Sequence, residues 1–161
     1  MDHLSSLDRK SEKKTDNWMQ MEFPARSENE SLARVAVASF MTPLDPTLEE
    51  MADVKTAVSE AVTNAIIHGY DGEGEGIIYI RCRFEGDLLE IEIEDKGKGI
   101  EDIKRAMEPL FTTKPEMDRS GMGFAFMEAF TDHLEVTSHP GMGTLVAMKK
   151  KLGTYAWIEE I

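Results

Sequence analysis

The fold class that the sequence predicts is an α/β (α+β) two-layer sandwich, with a mixed, mainly antiparallel sheet covered on one face by helices. Three observations predict it. Thr47 to Gly69 reads as one long helix, with Met51, Val54, Val58, Val62 and Ala65 in an apolar stripe. Ile77–Phe84 and Leu88–Glu94 alternate apolar and polar residues and meet at Glu85-Gly86-Asp87, a hairpin signal. Leu134–Thr137 and Thr144–Lys150 add two strands around the turn Pro140-Gly141-Met142-Gly143. At 161 residues the chain is long enough for one domain with a real core.

Taken in order, residues 1–20 are polar, with few large apolar residues, and read as a disordered extension. Met21–Pro24 reads as a short edge strand. Ser27 and Glu30 have capping-box spacing and open a helix to about Met41, with Leu32, Val35, Ala36 and Ser39 or Phe40 directed inward. Glu30 and Arg34 stand four apart on its outer face, as an exposed ion pair would. Pro43-Leu44-Asp45-Pro46 ends that helix, and Thr47 with Glu50 caps the long one that follows. Gly69 stops the long helix, and Asp71–Gly76 is a glycine-rich loop. Glu101–Met107 and Phe124–Phe130 read as two short helices. Between them, Pro109–Ser120 lacks periodicity, and such a loop inside a domain is usually functional. His133 and His139 fall in turns, as solvated residues.

Composition narrows the function. The net charge is −13, from 31 acidic and 18 basic residues, which disfavours direct nucleic-acid binding and favours a basic or mixed partner. Cys82 is the single cysteine, so no internal disulfide forms, as in a reducing cytoplasm. It alternates in phase with Ile78, Ile80 and Phe84 and reads as packing. No apolar run has the length of a membrane span, and no signal peptide is visible. No His/Cys cluster has zinc-ligand spacing, and no P-loop motif occurs.

The chemistry gathers in three pieces. On the back of the long helix, Ala57, Glu60, Asn64 and His68 fall in line. A carboxylate there can accept a proton, and an amide oxygen can ligate a hard cation such as Mg²⁺. Asp95 closes the strand in phase with Leu89, Ile91 and Ile93, so its carboxylate points to the buried side and needs a partner. The exocyclic amino group of a base is one such partner. Gly97 and Gly99 follow and let the backbone approach a ligand. Gly121 and Gly123, around Met122, enter a helix whose free N–H groups suit phosphate.

Glu-x-x-x-Asn on a helix, Asp-x-Gly-x-Gly after a strand and Gly-x-Gly before a helix resemble the Bergerat-fold (GHKL) ATPase and kinase superfamily. Arg26–Ser31, Ser59–Tyr70, Pro109–Pro115 and Arg119–Phe124 are similar, more narrowly, to the anti-sigma-F family of spore-forming bacteria, small serine-protein kinases. The resemblance covers about Met21 to Lys151, leaving 152–161 as a C-terminal extension.

That resemblance implies an anti-sigma factor that inhibits a sporulation sigma factor, sigma-F, and uses ATP and Mg²⁺ to phosphorylate a serine of an anti-anti-sigma protein. It implies a cytoplasmic homodimer. Asn64 would ligate Mg²⁺, Glu60 would take or orient the serine proton, and Asp95 with Thr144 would bind adenine. Gly97, Gly99, Gly121, Met122 and Gly123 would line the nucleotide. Thr112, Thr113, Lys114 and Arg119 would contact phosphate from a lid. Glu30 and Arg34 would lie on a partner-docking helix. An ATP-hydrolysing switch and a nucleotide-gated binding module without kinase activity remain open alternatives. A histidine kinase fragment is the weaker one, because no phospho-acceptor helix pair precedes the ATP domain.

Overall fold

The computed structural model describes residues 16–72, 74–108 and 123–153. Its strands are β1 (Asp16–Pro24), β2 (Ile77–Glu85), β3 (Leu88–Asp95), β4 (His133–Ser138) and β5 (Thr144–Lys151). Its α-helices are α1 (Glu28–Phe40), α2 (Leu48–Asn64), α3 (Ile103–Ala106) and α4 (Gly123–Phe130). The strands form one sheet in the order β1-β2-β3-β5-β4, and every ladder is antiparallel. The sandwich stands as expected, and the mixed component of the sheet is corrected to a fully antiparallel one among the described residues.

The period-two pattern decides which way the sheet faces. Ile78, Ile80, Cys82 and Phe84 of β2 and Leu89, Ile91 and Ile93 of β3 are buried under the helices. The alternate residues form an ionic ladder on the open face. Arg81 pairs with Glu92 at 2.9 Å and with Glu94 at 3.6 Å, and Arg83 pairs with Glu90. Exposed pairs of this kind contribute little each, but they keep the uncovered face polar. Cys82 is packing, as expected, and its burial pushes the thiol up to about 12.

β1 begins at Asp16, ahead of the expected Met21. An edge strand pairs through its backbone, so it needs no apolar alternation along its first half. Met19, Met21 and Phe23 contact the core, while Trp18 stays exposed. At the other end Leu152 is buried, and its N–H donates to the Asp87 carbonyl.

α2 starts on the capping box anticipated from Thr47 and Glu50. The Glu50 N–H donates to Thr47 Oγ1 at 3.0 Å, and the Thr47 N–H donates to Glu50 Oε1 at 2.9 Å. Ser27 differs: it sits in the helical region and makes no capping bond. The inward face of α1 also differs. Ala33, Val37 and Met41 are buried, whereas Leu32 and Val35 are exposed. Both sets have helical spacing, and the helix period alone does not choose between them; the face that meets α2 is the one carrying Ala33 and Val37. Phe40 does pack inward, 5.1 Å from the Phe84 ring. Ala57 is fully buried rather than on a polar back, because α2 packs against both α1 and α4. His133 opens β4 instead of lying in a turn, and remains exposed, as does His139. No helix among the described residues is long and apolar enough to cross a membrane.

Candidate functional site

A cavity of about 440 Å³ opens beside the end of α2, the ends of β3 and β5, α3 and the start of α4. Asn64, Asp95, Gly99, Gly123 and Thr144 all line it, from five separate segments. The structure thus brings these five sequence-predicted residues together, whereas Gly97, expected beside them, does not line the cavity. Its volume lies within the range of small-molecule sites.

The end of α2 makes the room. Over Ala65–Gly69 the helix widens into a π turn, in which the Tyr70 N–H donates to the Ala65 carbonyl at 3.1 Å. Single π turns recur at functional sites. This one lays Gly69 against Asp95: a Cβ on Gly69 would stand 2.8 Å from the Asp95 carboxyl carbon. Gly97 lies as close to Gly69, whose carbonyl would be 2.0 Å from a Cβ there. The backbone is closed around the carboxylate, and no side chain other than hydrogen fits at either position. Tyr70 pins this corner, donating to the Ile77 carbonyl at 2.6 Å and accepting from the Lys96 N–H at 2.7 Å.

Asp95 is 5% exposed and points to the apolar side of β3, as its phase requires. Burial pushes its pKa up from 3.8 to about 6, partly offset by the backbone N–H groups of Gly97 and Thr144. The Gly97 bond to Oδ1 is 2.9 Å. No basic side chain pairs with this carboxylate among the described residues. A buried acceptor with unused lone pairs, facing a cavity, suits a ligand N–H.

Asn64 ends α2 at the cavity wall, beside the first residue of α4. A Cβ on Gly123 would stand 2.9 Å from Asn64 Nδ2, so glycine lets the helix start approach the amide. Mg²⁺ usually takes one or two protein oxygens and keeps phosphate and water for the rest. One carboxamide oxygen at a nucleotide-sized cavity fits that pattern, although Gly121 and Met122 lie outside the described residues.

Glu60 is placed differently from the expectation. It lines a surface groove between α1 and α2, with Glu30, Arg34, Lys55, Thr56 and Thr63, rather than the cavity itself. One turn of helix separates it from Asn64, so it stands at the border between groove and cavity. Glu30 and Arg34 form the anticipated pair at 3.5 Å, and they face this groove. Thr112, Thr113, Lys114 and Arg119 lie outside the described residues.

Sequence reasoning missed Gly69, taken only as a helix stop, and Gly143, whose φ is +81° and whose Cβ would stand 2.1 Å from the Asp95 carbonyl. It also missed Ser138, buried beside Thr144. The signal available for Gly69 was its place in Ile-His-Gly-Tyr at the end of the Glu60/Asn64 helix. Ser138 carried no signal, since a serine near a turn is ordinary.

Residues 23–150 match the family described as the histidine kinase-like ATPase domain. Curated relatives named anti-sigma F factor are similar over most of the chain. The one from Thermoanaerobacter sp. (strain X514) is 57% identical over 138 residues, 86% of this chain and 96% of its own length. That of Clostridium novyi is 59% identical over 137 residues, covering 84% and 95%. That of Clostridium acetobutylicum is 57% identical over 145 residues, covering 90% and 99%. A crystal structure of the RsbU and RsbW domains of a Mycobacterium tuberculosis protein shares the fold. Its TM-score is 0.61 at 20% identity, over 84% of this chain and 32% of that one.

Proposed function

Because the chain belongs to the anti-sigma F factors, within the histidine kinase-like ATPase family, we propose that it is an ATP-dependent protein serine kinase that also restrains a sigma factor. It binds and inhibits a sporulation sigma factor, sigma-F, and phosphorylates a serine of the anti-anti-sigma antagonist. It acts in the cytoplasm, as a homodimer. The observation that carries the nucleotide part is the buried Asp95 carboxylate, enclosed by Gly69 and Gly97 and open to the cavity.

Each residue then has a task. Asp95, with Thr144, accepts from the adenine amino group. Gly97, Gly99 and Gly123 bring backbone near the nucleotide, with Gly121 and Met122 beside them. Asn64 offers its amide oxygen to Mg²⁺, which neutralises phosphate charge when bound. Thr112, Thr113, Lys114 and Arg119 contact phosphate and close the site to water. The antagonist approaches from the groove, guided by Glu30 and Arg34. Its serine oxygen attacks the γ-phosphorus, the bond to the β–γ bridging oxygen breaks, and ADP leaves. Glu60, at the border of groove and cavity, takes the serine proton.

The test is to incubate the chain with γ-labelled ATP, a sigma factor and a small anti-anti-sigma protein. Label on a serine of the antagonist supports the kinase. Free labelled phosphate alone makes the chain an ATPase switch. Nucleotide-dependent sigma binding without either product makes it a gated binding module.

A further inference from the structure

We propose that Ser138 sets the hydrogen-bond polarity of the base-binding end of the cavity, by holding the Thr144 hydroxyl as an acceptor. The inference rests on the reading of the cavity as an adenine-nucleotide site. Ser138 and Thr144 are directly paired on β4 and β5, and they are 7% and 8% exposed. Ser138 Oγ has three neighbours at hydrogen-bond distance. The Ile100 N–H lies at 2.8 Å, the Gly143 carbonyl oxygen at 2.9 Å and Thr144 Oγ1 at 2.8 Å.

A hydroxyl has one hydrogen and two lone pairs, and this settles the direction of all three contacts. The Ile100 N–H can only donate, so it occupies one lone pair. The Gly143 carbonyl can only accept, so it takes the hydrogen. The third contact then requires Thr144 to donate to the remaining lone pair. The reverse arrangement would take the Ser138 hydrogen away from a carbonyl at a buried position, which is costly. With its hydrogen committed to Ser138, Thr144 has only lone pairs to offer the cavity that it lines.

Thr144 also pairs directly with Asp95 across β3 and β5. The base end therefore offers acceptors from both strands: the Asp95 carboxylate and Thr144 Oγ1. A 6-amino group brings hydrogens to such a place. A 6-oxo group brings only lone pairs and is repelled. Ser138 touches no nucleotide in this scheme; it is a positioning residue for base specificity.

The experiment compares the dissociation constants of ATP and ITP by calorimetry in Mg²⁺. ITP carries a 6-oxo group in place of the amino group. The proteins are the parent, S138A, S138T, S138V, T144V and the S138A/T144V double variant. Once Ser138 loses its hydroxyl, the Thr144 hydrogen is free to turn toward a 6-oxo group. The ATP preference of S138A is expected to fall about tenfold, the effect of one buried hydrogen bond. S138T is expected to keep the preference that S138V loses. That matched pair carries the test should S138A fail to fold. In the T144V background, S138A is expected to leave the ratio unchanged. Equal weakening of ATP and ITP by S138A, or by S138V relative to S138T, would overturn the inference and leave Ser138 a structural residue. A parent that binds ATP and ITP alike also overturns it. A parent that binds neither overturns the nucleotide reading itself.

Discussion

The cavity and the groove meet at the last turns of α2, yet they are built from different materials. The cavity end is backbone and burial. Gly69 and Gly97 close on a carboxylate that is 5% exposed, and Gly123 lets a helix start reach Asn64. The groove is side chains in water, with Arg34 and Glu30 exposed to 40% and 21%. A site built from backbone and buried groups is fixed before its ligand arrives and recognises a small molecule by shape and polarity. A groove of solvated charges has few fixed contacts and suits a protein partner whose surface completes it. The difference teaches that binding nucleotide and engaging a partner should be separable by mutation, with Glu60 at the border.

The largest expected effect is at that border. Glu60→Gln keeps size and hydrogen bonding but cannot accept the serine proton. Single-turnover transfer of labelled phosphate to the antagonist is expected to slow by about 10²–10⁴-fold. ATP affinity and ATP-dependent sigma binding are expected to persist. Loss of all three together would show that groove and cavity are one structural unit.

Within the cavity, Asp95→Asn replaces an acceptor with an amide in a closed pocket. ATP binding is expected to weaken by about 1–3 kcal/mol, measured by calorimetry. The parent carries a cost for this carboxylate that the variant lacks. Its folded pKa of about 6 lies above the ordinary 3.8. The neutral form is therefore favoured in the fold, and the cost is absent below pH 3.8, grows as pH rises from there, and is fully present above about 6. Unliganded Asp95→Asn is expected to melt higher than the parent above pH 7, with the gap closing toward pH 4. In the parent, ATP affinity is expected to decline as pH falls below 6. A flat pH profile would place the base elsewhere in the cavity.

Asn64→Ala addresses the same cavity through its metal. Mg·ATP affinity is expected to fall about 10–100-fold, by analogy with the loss of metal-supporting groups. The deficit is expected to vanish when parent and variant are compared in a chelator. A deficit that persists without Mg²⁺ would make Asn64 a packing residue against Gly123.

How much of this was legible follows the same division. Asp95 was readable because a strand has period two: the phase of Leu89, Ile91 and Ile93 fixed where the carboxylate points. Thr47 and Glu50 were readable because a capping box is local. The inner face of α1 was not, because Leu32/Val35 and Ala33/Val37 fit the same helical period, and only the tertiary neighbour chooses between them. β1 was half legible, since an edge strand is held by backbone bonds that leave no side-chain pattern at Asp16 to Trp18. The place of Glu60 was legible to one turn of helix, but its opening to the groove depends on α1, which no spacing within α2 records. The backbone enclosure of the Asp95 carboxylate depends on Gly69, which lies far from it in sequence.

The smallest expected effect tests the groove alone. Arg34 Nη1 lies 3.5 Å from Glu30 Oε1, with both side chains partly in water. Such a pair contributes a few tenths of a kcal/mol to folding, so Arg34→Ala is expected to leave the melting temperature and ATP affinity nearly unchanged. Exposed Leu32 and Val35 share the same helix, so a partner that covers this surface would bury apolar area around the arginine. An arginine desolvated in that way contributes about 1–2 kcal/mol to an interface. Sigma-factor affinity is therefore expected to fall up to about tenfold, and affinity for the antagonist to fall with it if the two partners share the groove. Titration of each partner in ATP and in ADP measures both. If neither affinity changes, the pair is surface solvation, the groove takes no partner, and the antagonist serine must reach Glu60 by another face.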